Sequence, residues 1–198
     1  MRNVLATLVV FGAVFYPAPG HAQPAEPSCA ELDGANAEKL LEYLQGDRAS
    51  LGEDCVFIAT TKLGVAGYLP AIKTLVALLD YRTHGDPEEA RTGVVRQPGW
   101  PIYPAADALF LIGKPAVPEI LKVLAKSDTS DLVRRVAIYA LFNIKSDEET
   151  GPVATLVRAS RAEKDIGASQ RLMDAARDAA TQCRPERQPV CIDALYGK

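Results

Sequence analysis

Apolar residues along this chain recur every three to four positions rather than every second one. Ile72, Leu75, Val76 and Leu79 fall at i, i+3, i+4 and i+7, the stripe that one face of an amphipathic helix carries. Ala105, Ala108, Leu109 and Ile112 repeat it, as do Val117, Ile120, Leu121 and Leu124, and then Val133, Ala137, Ala140, Leu141 and Ile144. Val56, Ala59, Leu63 and Ala66 share a face earlier in the chain, and Leu172, Ala176, Ala179 and Cys183 share one near its end. No run sustains a period of two, so the pattern predicts an all-α fold.

Start and stop signals divide the stripes. Pro70 and Pro104 sit where a first-turn proline is tolerated, because its missing N–H would be unpaired there anyway. Gly113 followed by Pro115 closes one helix and opens the next. Ser130 is a candidate cap, and Ser146 with Glu149 has the spacing of a capping box. These signals predict about eight helices, over 35–45, 53–66, 69–80, 104–112, 116–126, 131–145, 147–161 and 167–183.

Connections this short make consecutive helices antiparallel neighbours, and a hairpin of two amphipathic helices cannot bury its apolar face alone. Internal similarity points to stacked hairpins. Ala108-Leu109-Phe110-Leu111-Ile112 recurs as Ala140-Leu141-Phe142-Asn143-Ile144, and Leu63-Gly64 before Leu69-Pro70 is matched to Ile112-Gly113 before Val117-Pro118. Phe110, Leu111, Ile138, Tyr139 and Phe142 lie off the main stripes, which places their helices in the middle of the stack. The segment from Ala105 to Pro118, continued from Asp131 to Leu141 with its Val133-Arg134 pair, resembles bacterial HEAT repeats. The resemblance is good over 104–145 and fair over 53–80. It implies a right-handed α-α superhelix, a HEAT-like solenoid of about three to four hairpins, whose usual occupation is binding other proteins.

The N-terminus changes the picture by adding a compartment. Arg2, the uncharged apolar run from Val4 to Tyr16, then Pro17, Pro19 and Gly20 form the layout of a cleavable secretory signal over 1–22, with cleavage expected after Ala22. The run is shorter than the roughly 20 residues a membrane span needs, so the expected mature chain is soluble and periplasmic or secreted. Residues 23–34 read as a flexible leader, 35–183 as the helical domain with an inserted loop at 81–103, and 184–198 as a C-terminal flap. The formal charge of −3 comes from interspersed acids and bases, without the basic stripe of a nucleic-acid binder.

Four cysteines in an exported chain are read first as two disulfides. Cys29 with Cys55 and Cys183 with Cys191 is the favoured arrangement, since each pair ties down one end. There is no Cys-x-x-Cys pair, and His84 is the sole histidine beyond the signal, so neither a metal site nor a cofactor is expected.

Candidate functional residues concentrate in the loop at 81–103, which breaks the short-loop rhythm. Trp100, the one tryptophan, together with Tyr103, Tyr81 and His84, makes up the candidate partner-binding set, because aromatic residues dominate binding hot spots. Asp86, Glu88 and Glu89 lie in the same loop without EF-hand spacing. Asp147, Glu148 and Glu149 at a helix start are accounted for by the helix dipole. No Gly-x-Ser-x-Gly elbow or His-based triad is present. The sequence therefore reads as an exported interaction or scaffold module with a protein or peptide partner. The alternative is a small hydrolase or ligand-binding protein with its site on the loop.

Overall fold

A computed structural model describes residues 29–83, 103–144 and 151–196. The described residues fold into ten helices and no strand. They are α1 (Ala30–Asp33), α2 (Ala37–Leu44), α3 (Glu53–Val65), α4 (Ile72–Ala77), α5 (Pro104–Ile112), α6 (Val117–Ala125), α7 (Asp131–Ile144), α8 (Val153–Ala162), α9 (Ile166–Thr181) and α10 (Gln188–Tyr196).

A recurring turn organises the middle of the chain. Gly67, Gly113 and Gly151 alone among the described residues have positive φ, at 58°, 80° and 52°. Each is followed within three residues by a proline, Pro70, Pro115 or Pro152, which precedes or opens the next helix. Glycine reaches this left-handed backbone without a Cβ clash, and proline is preset for a helix start. At Gly67 the turn is closed by Tyr68 N–H donating to the Leu63 carbonyl and Gly67 N–H to that of Gly64. Pro70-Ala71-Ile72 and Pro115-Ala116-Val117 have the same local structure. Each ends a short 3-10 turn, and Ile72 and Val117 both have φ −52° and ψ −47°. The structural equivalent of Pro70 is thus Pro115, not the Pro118 matched in the sequence comparison, because the turn geometry and not the apolar stripe fixes the alignment.

Packing runs in two rows. In one, α2 packs on α3, α3 on α5 and α5 on α7; in the other, α4 packs on α6 and α6 on α9. The rows meet where α4 lies against α5 and α6 against α7. Between them sits one continuous core that includes Leu63, Leu75, Leu109, Ile120, Leu124, Ile138, Leu141 and Leu156, each fully buried.

The third hairpin departs from the skip-one pattern. The helix that follows α7 in the chain is α8, yet the second-row place beside α6 is taken by α9, and α8 packs on α9 and α10. Alanine makes this possible, since Ala168, Ala175, Ala176, Ala179 and Ala180 bury small side chains that let α9 approach neighbours on more than one side. Arg171 fixes it by donating from Nε to the Ala125 carbonyl at the end of α6, at 2.5 Å. The α8–α9 hairpin is clasped by two serines. Ser160 Oγ donates to the Ser169 carbonyl at 2.9 Å, and Ser169 Oγ to the Ser160 carbonyl at 2.8 Å.

The described parts of the expected leader and flap contain helices. Part of the expected leader is α1, and the expected flap contains α10, packed on α8 and α9. Short length hid them: α1 buries no residue, and α10 fully buries only Cys191, so neither writes a stripe. The helix expected over 147–161 is observed from Val153, after Gly151 and Pro152. Ser146 and the acids at 147–149 lie outside the described residues, as does the expected signal segment. No described helix is long and apolar enough to cross a membrane.

Candidate interaction surface

Among the described residues, large apolar or aromatic side chains stay exposed on the first row at Val65, Phe110, Leu111 and Tyr139, and elsewhere at Leu69, Ile166, Ile192 and Tyr196. From α5 the core takes Ala105, Ala106, Ala108, Leu109 and Ile112, which leaves Phe110 and Leu111 42% and 47% exposed. On α7, Tyr139 is 45% exposed while its neighbours Ile138 and Ala140 are fully buried. On α3, Val65 is 72% exposed, and Phe57 and Ile58 are half-buried. The first row thus carries exposed apolar or aromatic side chains on three successively packed helices. Leu111 reaches toward α3, with its Cδ1 3.1 Å from where a Cβ on Gly64 would stand. Asp107 and Arg135 share faces with these residues by helical spacing.

The helix α5 does pack between α3 and α7, as its off-stripe apolar residues suggested, but not all of those residues are used for packing. Ile138 is enclosed, but Phe110, Leu111 and Tyr139 face solvent. Isolated exposed apolar residues are ordinary on any protein, whereas several on adjacent elements mark surfaces that meet other molecules.

The second row exposes Ile166 on α9 and also carries basic side chains. Lys73 on α4 and Lys122 on α6 are exposed, with Lys126 just beyond α6. Lys122 Nζ donates to Glu119 Oε1 at 2.6 Å. That hydrogen bond, with the charges of Lys122, Lys73 and Lys126, holds the Glu119 carboxyl below its ordinary range against a smaller opposing effect of burial.

The four partner-binding candidates do not form one described site. Tyr81 is a packing residue. Its hydroxyl donates to the Leu51 carbonyl at 2.9 Å, the Arg48 guanidinium lies 5.8 Å from its ring centroid, and Arg48 bridges to Asp80 at 2.8 Å. Burial first, then the charge of Glu53, pushes the Tyr81 hydroxyl pKa up, with Arg48 opposing. Tyr103 precedes α5, half-buried against the core, and its carbonyl accepts the N–H groups of Ala106 and Asp107. His84 and Trp100 lie outside the described residues, with Asp86, Glu88 and Glu89.

The cysteines join as Cys29–Cys55 and Cys183–Cys191, the two pairs favoured from the sequence. Among the described residues no three His, Cys, Asp or Glu side chains come together as a metal site. No protein-family model matches the chain, and neither the curated proteins nor the solved structures searched contain a match.

Proposed function

We propose that this chain is an exported HEAT-like solenoid that serves as a protein-binding or scaffold module, and that the outer face of the first row is where its partner docks. The single observation that carries the reading is the exposure of Val65, Phe110, Leu111 and Tyr139 on α3, α5 and α7, with the core complete without them. The solenoid reading is supported by the skip-one packing of α3, α5 and α7 and of α4 and α6, and by the shared glycine-proline turns. Export is supported by the apolar N-terminal run and by two disulfides, which persist in oxidising compartments.

A photo-crosslinker placed at Phe110 or Tyr139 in producing cells should capture one and the same protein, while the same group at Lys73 on the second row captures none of it. The double substitution Phe110→Ser and Tyr139→Ser should abolish that capture. Because both sites are exposed, the thermal midpoint should move little, in line with surface changes of about 0.5 kcal/mol or less. Equal capture from position 73, or capture unaffected by the double substitution, removes the first row as the docking face.

A further inference from the structure

The two disulfides hold terminal helices in unequal ways. α1 contributes no buried residue. It is fastened to α3 by the Cys29–Cys55 bridge and by Lys62, whose Nζ donates to the carbonyls of Leu32 at 2.9 Å and Asp33 at 2.5 Å and pairs with the Asp33 carboxylate at 3.4 Å, while Leu32, and Ala35 just beyond the helix, rest partly on the core. The next helix does not depend on this fastening. α2 has its own cap, Asn36 accepting from Lys39 N–H at 3.0 Å, and its own anchors, Leu40 and Leu44, both buried. Gly34 stands between α1 and α2 with nothing within 4 Å of an added Cβ. Cys29 is partly exposed, whereas Cys55 is 1% exposed. At the other end, Cys183 and Cys191 are both buried, at 8% and 1%, beneath a helix that also rests Ala194 and Leu195 on the core.

We infer that Cys29–Cys55 is a reducible latch, opened in the folded protein by a dithiol reductant to free residues 29–35 while the Cys183–Cys191 bridge stays closed. Thiol–disulfide exchange requires a thiolate to reach a sulfur. A thiolate of the dithiol attacks the Cys29 sulfur, forming a mixed disulfide there as Cys55 leaves as a thiolate. Cys55 is the third residue of α3, where the helix dipole favours the anion, with the exposed Glu53 and Asp54 of the same turn opposing. The second thiol of the reductant then attacks its own sulfur in the mixed disulfide and expels Cys29. In total the dithiol is oxidised to a disulfide and the bridge takes up two electrons and two protons. Local opening of this kind stops at the first independently anchored element, which is α2.

Treating the full folded chain with graded dithiothreitol, quenching with iodoacetamide and mapping the peptides tests the latch. Cys29 and Cys55 should be alkylated about tenfold faster than Cys183 and Cys191, with the far-UV helical signal retained after the first bridge opens. Equal rates, earlier opening of Cys183–Cys191, or loss of the helical signal together with the first bridge overturns the inference. The variant with Cys29→Ser and Cys55→Ser provides an independent reading. It should fold, with new protease cleavage confined to the segment before Ala37; failure to fold shows the bridge to be structural and sinks the latch.

Discussion

A methyl group added at Gly64 would stand 2.8 Å from the Ala108 Cα and 3.1 Å from its carbonyl oxygen. Both are backbone atoms of α5 and cannot swing aside, so Gly64→Ala must push the first-row helices apart. Overpacking of this kind costs about 1–3 kcal/mol, and urea unfolding should show a lower midpoint with an unchanged slope. Tyr81 carries a different kind of constraint. Tyr81→Phe removes the bond to the Leu51 carbonyl and should cost about 0.5–1.5 kcal/mol. Since the fold raises the Tyr81 pKa, favouring the neutral phenol, its contribution is complete below the ordinary tyrosine range and is lost as pH rises through the raised value. The Phe variant should therefore lose less stability than the parent in alkaline thermal unfolding. Glu119 has the opposite sign. Its contribution is present above the ordinary carboxylate range and is lost as pH falls through its lowered pKa. Lys122→Met should flatten that acid-side dependence, and added salt should flatten it in the parent.

At the scale of elements, the helices with long apolar stripes were legible from periodicity, and α5 and α7 fall within a residue of their expected bounds. What periodicity could not show was which leftover residues face out. Phe110 and Ile138 look alike in sequence, and only the direction from which α3, α4 and α6 approach separates them. A connecting segment likewise does not reveal how far an aromatic ring is used for packing, and Tyr81 and Tyr103 are both half-buried. Caps were partly readable. Ser130 Oγ accepts from Val133 N–H at 3.3 Å as its position suggested, but Asp165, which accepts from Ala168 N–H at 2.6 Å to start α9, was not singled out. Asp165→Ala should lower stability by about 0.5–2 kcal/mol, read as a drop in the thermal midpoint. Asp165→Asn should recover most of it, since an amide oxygen can fill the same role.

For the molecule as a whole, the first row exposes Val65, Phe110, Leu111 and Tyr139, while Lys73 and Lys122 are exposed on the second. α9, rather than α8, completes the second row, and its Arg171 contact with Ala125 spans 46 residues of sequence. A chain ending before Ile166 lacks the partner that covers the flank of α6, so it should unfold over a broad, non-cooperative range in urea, in contrast to the full chain. During synthesis residues emerge in order, and α6 must wait with that flank open until α9 arrives. The arginine–carbonyl contact can form only once Arg171 has been made, so that flank closes late. A product that ends before α9 leaves that flank of α6 bare, whereas one that includes α9 covers it.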